Sequence, residues 1–272
     1  MPGMEHVSID YFRPLVLITL FDEYNTAELD SLADRLLSLG EEVEAVAVQH
    51  RDRDGAPVSV LRGEMPRKLV AREAGLSFGL QLGGRQNLGF FLDMAEARSW
   101  VRLHADGRNV LNLFAYTCAF SVVAKSAGAN RVVNLDMAAA ALRQGQQNHQ
   151  RNGLIGGVQY LSHNLFRSWG KLRKLGPFEL IIVDPPSRQP GSFVAEQDYA
   201  KVLRRLPELC AAGTDLLLCL NSPHLESGYL RELVEKEAPE LEFQQRLPNP
   251  PGFADIDREM GLKVLHYSWS DR

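Results

Sequence analysis

Residues 109–136 read NVLNLFAYTCAFSVVAKSAGANRVVNLD. Val110–Phe114 is an apolar run that ends in a tight turn. Ser121–Ser126 has helical spacing, a short loop follows, and Arg131–Leu135 is a second apolar run closed by Asp136. Short apolar runs bounded by turn residues and separated by a helix describe a β-α-β unit with buried strands. Both strands end in polar residues, as one half of a nucleotide-type pocket would. Another polar strand end, Asp184-Pro185-Pro186-Ser187, follows about 50 residues later.

The same alternation continues to the C-terminus. Val158–Leu161, Leu180–Asp184, Asp215–Leu220, Glu242–Arg246 and Lys263–Trp269 read as further strands. Ala138–Asn152, Val194–Ala211 and Glu226–Glu237 read as helices, with another ending at Arg98–His104. Seven strands alternating with helices predict an α/β fold, a mostly parallel sheet covered on both faces with right-handed crossovers. The proline-rich loop Pro248–Gly252 precedes a last strand expected to return antiparallel. Upstream, Arg13–Leu20 reads as a buried strand. A helix capped at Asn25 or Thr26 follows and stops at Gly40. Val43–Val48, Val58–Leu61 and Leu76–Leu82 read as strands, with a turn at Asp54-Gly55 and a loop over Gly83–Asn87. Residues 1–80 are therefore expected to form a small N-terminal α/β domain, a candidate for substrate or RNA contact, and residues 81–272 the main domain.

With 45% hydrophobic and 24% charged residues in 272, the composition is that of a globular protein. No run of roughly 18 apolar residues is present to span a membrane. Met1–Asp10 carries acids and no apolar core, unlike a secretory signal. Cys118, Cys210 and Cys219 show no metal spacing; their odd number favours reduced thiols in the cytoplasm. The net charge of -4 argues against strong unspecific nucleic-acid binding. Charge is unevenly spread, however. Residues 22–54 hold ten acids and three bases, whereas no acid lies between Asp136 and Glu179. That interval carries Arg143, Arg151, Arg167, Lys171, Arg173 and Lys174, either a solvated face or a patch that meets phosphates.

Ligands of open parallel sheets bind beyond the carboxyl ends of the strands. Four places qualify. Phe114–Phe120 lacks the GxGxxG pattern that lets a backbone approach a pyrophosphate, so a nucleoside without phosphates is expected. A carboxylate at Asp136 can accept from both ribose hydroxyls, or cap the helix that follows. Asn164 offers an adenine edge both donor and acceptor, or caps a helix. At Asp184-Pro185-Pro186-Ser187, two prolines remove donors and fix the backbone, directing the acid toward the cleft.

Residues 109–136 resemble the first motif of class I S-adenosylmethionine-dependent methyltransferases. More narrowly, they resemble the bacterial large-subunit ribosomal RNA methyltransferases that read N-L-F-x-Y-T-G. The likeness extends to Gly63-Glu64-Met65-Pro66, Gly89-Phe90-Phe91-Leu92-Asp93, Asp136, Asn148–Gly153 and Ile182–Pro186. It implies a Rossmann-like fold, S-adenosylmethionine as cofactor and RNA as partner. An RNA-binding PUA domain at the front of some relatives has no counterpart here. By resemblance, Tyr116, Thr117, Cys118 and Ala119 cradle the methionine part, and Asp136 binds ribose with Met137 beside it. Asn164 lies near adenine, Phe90 and Asp93 line the entrance, and Phe114 and Pro185 complete the cofactor set. Asp184 faces the sulfonium and the target base, beside Pro186, Ser187 and Arg188. The chain departs from the group at Cys118, where relatives have glycine, at Ala95, where many have a base, and at Asn164, where many have aspartate.

Methylation of cytosine C5 needs a nucleophile such as a thiolate. Relatives of that type have cysteine in an S-C-S after the strand that follows D-P-P; here Ser222 takes the place, and Cys219 reads as a buried strand residue. Ser187 replaces the aromatic residue that stacks on a flipped adenine in amino-group enzymes. Relatives that methylate guanine N7 have S-N-N in place of that S-C-S, which Asn221-Ser222 resembles more closely. The resemblance thus favours guanine N7 or another ring nitrogen, with Asp184, Asn221 and Ser222 positioning the base. His224 reads either as a base or as a surface residue. A protein or small-molecule substrate, and a cofactor-binding protein without turnover, remain as alternatives. Arg62, Arg67, Lys68 and Arg72 join the basic interval as candidates for phosphate contact.

Overall fold

The computed structural model describes residues 6–83, 87–189, 191, 193–253 and 257–270; Gly84, Arg85 and Gln86 of the expected loop lie outside them. Contacts divide the chain into two units, Met1–Phe90 and Phe91–Arg272.

The first unit holds β1 (Val7–Phe12), β2 (Leu15–Leu20), α1 (Thr26–Leu37), β3 (Ala45–His50) and β4 (Val58–Gly63), with sheet order β1-β2-β3-β4. All six residues of β2 are buried. The Asn25 carboxamide caps α1, accepting from the Ala27 and Glu28 amides at 2.9 and 3.4 Å, and Leu29, Ala33 and Leu36 cover the sheet. Only glycine fits at residue 63: its φ is +71° and a Cβ would fall 2.0 Å from the Glu44 carbonyl. The hairpin β5 (Val70–Glu73) and β6 (Leu76–Gly79) follows. Arg62, a candidate for phosphate contact, is instead held by Asp30 and Asp34 of α1 at 3.0 and 2.6 Å. Its charge is already matched inside the unit.

The second unit contains α2 (Ala95–His104), β7 (Asn109–Leu113), α3 (Ala119–Ser126), β8 (Arg131–Asp136), α4 (Ala139–Arg151), β9 (Val158–Ser162), α5 (Trp169–Leu175) and β10 (Phe178–Val183). A short hairpin, β11 (Arg188–Gln189) and β12 (Phe193–Val194), precedes α6 (Ala195–Leu203), β13 (Cys210–Leu220), α7 (Ser227–Glu237), β14 (Leu241–Arg246) and β15 (Lys263–Trp269). The seven-stranded sheet runs β14-β15-β13-β10-β7-β8-β9. β13, β10, β7, β8 and β9 are parallel neighbours, while β15 is antiparallel to both β13 and β14. Strand order reverses between β7 and β10, the place where such sheets open a crevice.

One expected helix needs correction. Val194–Ala211 is not continuous: α6 ends at Leu203, a short 3-10 turn covers Pro207–Leu209, and Cys210 already belongs to β13. Pro207 lacks an N–H and cannot continue a helical ladder. β1, β5 and α5 were not anticipated.

Candidate active site

The loop after β7 carries three non-glycine residues in the left-handed region, Phe114 (φ 57°), Tyr116 (46°) and Cys118 (62°). Each such residue costs roughly 1–3 kcal/mol and persists only where its surroundings over-determine it. Here they do. The Ala115 amide donates to Leu135 at 3.1 Å and the Cys118 amide to Ala115 at 2.7 Å. Asn148 of α4 donates to the Thr117 carbonyl at 3.1 Å, and the Tyr116 amide donates to the Asp136 carboxylate at 2.8 Å. The loop thus turns its backbone sharply without glycine.

Asp136, at the end of β8, is central to this arrangement. One carboxylate oxygen takes the Tyr116 amide; the other takes the Ala138 amide at 2.7 Å, ahead of α4. Burial pushes its carboxyl above the ordinary carboxylate range, and the two N–H groups oppose that rise. Each carboxylate oxygen can accept twice, so both remain able to accept from vicinal hydroxyls. The helix-capping and ribose-binding readings of this residue are therefore compatible. The next residue, Met137, is exposed. Asn164 caps the turn after β9: its Oδ1 accepts from the Phe166 amide at 2.8 Å. That contact uses the acceptor and leaves the amide N–H₂ group for an adenine edge.

The Cys118 thiol is fully buried. It points at α4, where a Cβ on Gly145 would fall 2.4 Å from Sγ, and joins Ala115 and Leu142 in a small apolar cluster. Burial pushes the thiol well up. Cys118, whose backbone is left-handed, therefore packs against a glycine of its own chain.

On the other side of β7, Asp184 follows β10. Burial and the nearby carboxylate of Asp93 push its carboxyl up to about 7, while the Arg98 guanidinium opposes the shift. Arg98, on α2, is 2% exposed and donates to the Phe91 carbonyl at 2.8 Å. Pro185 is buried, Pro186 and Ser187 are half-buried, and Arg188 is exposed at the start of β11. The Ser187 carbonyl accepts from Ala195 at 3.0 Å, and Phe193 of the hairpin meets Phe114 edge-on at 5.1 Å. Beyond β13, Asn221 is exposed and Ser222 buried.

Of the two neighbouring phenylalanines, Phe91 lies 5.7 Å from the Tyr116 ring. Phe90 is buried and stacks on Phe78 at 4.5 Å within the first unit. Phe91, Arg98 and Gly145 escaped the sequence reading. The only signal for Arg98 was its spacing, five residues after Asp93 on the first turns of a helix. Among the described residues no cluster of His, Cys, Asp or Glu could hold a metal, and no helix is long and apolar enough to cross a membrane.

The family model described as S-adenosylmethionine-dependent methyltransferase matches residues 1–268. A ribosomal RNA large subunit methyltransferase I of Aeromonas salmonicida is 33% identical over 199 residues, covering 71% of this chain and 50% of that protein. Its namesake in Photobacterium profundum is 29% identical over 247 residues, covering 87% and 62%. The chain thus spans between 50% and 62% of the length of these curated relatives. The SAH complex of the protein SMU.776 superposes with a TM-score of 0.87 at 24% identity, covering 97% of this chain and 71% of that one; this likeness speaks for the fold.

Proposed function

The chain belongs to the S-adenosylmethionine-dependent methyltransferase family, and from that premise we propose that it methylates a base of large-subunit ribosomal RNA. The observation that carries this reading is the position of two carboxyl groups. Asp136 ends β8 and Asp184 follows β10, one on each side of β7 and its strained loop. The loop backbone from Phe114 to Ala119 would hold the amino-acid end of the cofactor. Asp136 would take the ribose, with Met137 and Asn164 along the adenine and Phe91 beside Tyr116. The cofactor supplies an electrophilic methyl group on a cationic sulfur. Asp184, held near its protonation midpoint, can become the carboxylate that faces this cation. Catalysis then consists largely of alignment and charge placement.

We place the acceptor base against Asp184, Pro186, Ser187, Arg188, Asn221 and Ser222. A ring nitrogen such as guanine N7 is favoured over cytosine C5 because no cysteine offers a nucleophile to the cleft. Cys219 is fully buried in β13 with its thiol pushed up, Cys118 is turned into α4, and Cys210 starts β13 at the end of the sheet away from the cleft. The names of the relatives support the choice of substrate class. The first unit and the exposed bases of the second are the proposed RNA contacts.

Mass mapping of ribosomal RNA from a strain lacking the gene tests the proposal. One missing methyl group, restored by the purified protein and S-adenosylmethionine, is the expected result. Methyl label appearing in protein instead would redirect the substrate, and loss of a C5-methylcytosine would overturn the choice of atom.

A further inference from the structure

Lys263 opens β15 opposite Leu220 of β13 and is 0% exposed. Burying an ammonium costs several kcal/mol unless hydrogen bonds offset it, and an apolar side chain would serve the fold at less cost. Its Nζ donates to the Ser222 carbonyl at 2.7 Å and to the Glu259 carbonyl at 2.6 Å. The Ser222 carbonyl also receives the Leu225 amide at 3.4 Å, so it is the fixed point of the turn between β13 and α7. Glu259 is in turn anchored by its side chain. Its carboxylate accepts from the Ser227 amide at 2.6 Å and the Ser227 hydroxyl at 3.0 Å, and from Arg246 at the end of β14. These bonds pull the carboxylate below its ordinary range despite its burial. One lysine therefore ties together the turn after β13, the start of α7 and the chain entering β15. Asn221, exposed, sits immediately before the anchored carbonyl.

We infer that Lys263 is a positioning residue for methyl transfer: by holding the Ser222 carbonyl it fixes the Asn221 turn as one wall of the acceptor-base subsite. This rests on the proposed placement of the base at Asn221. Lys263 touches neither cofactor nor base; it acts through the peptide it holds. Alignment is worth orders of magnitude in rate when reacting atoms must approach in line, so a loosened wall lowers turnover while leaving intact the loop after β7 and Asp136, which lie two and three strands from β13.

The test is Lys263→Met, which keeps the aliphatic stem and removes the donors. The expected result is a kcat at least about tenfold lower, with KM for RNA and the Kd for S-adenosylmethionine each within about threefold of wild type. Amide hydrogen exchange at residues 221–226 should quicken about tenfold while residues 110–114 stay protected. An unchanged kcat overturns the inference, as does a kcat that falls in parallel with cofactor affinity and melting temperature. Glu259→Gln, which buries no new charge and weakens the same clamp, stands in if Lys263→Met does not fold. Its kcat should drop by about two- to fivefold with the same selectivity, and equal turnover would count against the clamp. If the wild-type protein methylates no RNA, the functional reading fails. Exchange at 221–226 then decides the positioning role by itself, and unaltered protection there overturns it.

Discussion

At the scale of single residues, Cys118 and Gly145 form a matched pair. A cysteine at φ 62° bears a strain that glycine would not, and its buried thiol needs an opposing residue without a side chain. Gly145→Ala should therefore destabilise the second unit by about 1–3 kcal/mol through overpacking. Combining it with Cys118→Gly should restore most of that loss in urea denaturation, whereas independent sites would simply add. Cys118→Gly alone should leave cofactor affinity unchanged in calorimetry, since the thiol faces α4. Asp184 offers a second prediction. Its carboxyl titrates at about 7, so below that pH S-adenosylmethionine must displace a proton before meeting a carboxylate. Affinity should fall by up to about tenfold per pH unit below 7. It should level off above pH 8, and vary less for S-adenosylhomocysteine, which lacks the cationic sulfur. Asp184→Asn should flatten the difference between the two ligands. The strand-end places of Asp136 and Asp184 were legible in sequence because each is a polar residue that closes an apolar run. Arg98, Phe91 and Gly145 were not. Their roles arise from which helix face meets which loop, and neither periodicity nor spacing encodes that.

At the scale of elements, a buried polar chain joins the sheet to its helices. Asn112 on β7 donates to Asn134 on β8 at 2.9 Å, and Asn134 donates to the Ser121 hydroxyl of α3 at 2.9 Å. Ser121 meets His149 Nε2 of α4 at 3.0 Å, and His149 Nδ1 meets the Gly145 carbonyl at 2.9 Å. A carbonyl only accepts, so Nδ1 carries the proton and Nε2 accepts from Ser121. Every donor in the chain points the same way, and burial lowers the histidine's proton affinity in keeping with its neutral form. Ser121→Ala would orphan the imidazole nitrogen and one amide N–H, a loss of roughly 2–4 kcal/mol. Ser126→Ala, whose hydroxyl bonds Val123 of its own helix, should change stability by less than about 0.5 kcal/mol; thermal melts of the two variants compare them directly. These asparagines lie inside apolar strands, where the one-dimensional pattern marks them only as interruptions. The strands and the longer helices of the β-α-β series could be read from sequence because each is a periodic segment between turn residues; α5, seven residues long, is too short to show that period. β1 could not: its Ile9 and Tyr11 are exposed on an edge strand, so burial imposes no continuous apolar run. The helix written through Val194–Ala211 failed for a different reason. Leu206 and Leu209 are buried like Ala195, Tyr199, Val202 and Leu203 of α6, and the apolar spacing continues past the point where Pro207 ends the hydrogen-bond ladder.

At the scale of the whole molecule, electrostatics constrains how RNA can be held. A net charge of -4 offers little general attraction to a polyanion, so binding must use local positive surface. Arg173 is partly neutralised by Glu208 at 3.3 Å. Arg143 and Arg151 on α4, Arg167 after β9, and Lys171 and Lys174 on α5 are exposed, on the two helices that flank β9 in the chain. The uneven charge was plain in the sequence, but which bases are engaged became apparent only from their partners, as Arg62 shows. If all five bases meet phosphates of a single-stranded segment, the logarithm of affinity should fall with the logarithm of salt at a slope of about −3.5, from about −0.7 per contact. Replacing Lys171 and Lys174 by glutamine should remove two contacts and bring the slope to about −2, with cofactor affinity unchanged. Fluorescence anisotropy of a labelled ribosomal RNA fragment across a salt series measures both slopes. A variant slope equal to the wild-type slope would mean that RNA approaches another face, because a phosphate contact cannot be lost without returning its counterion.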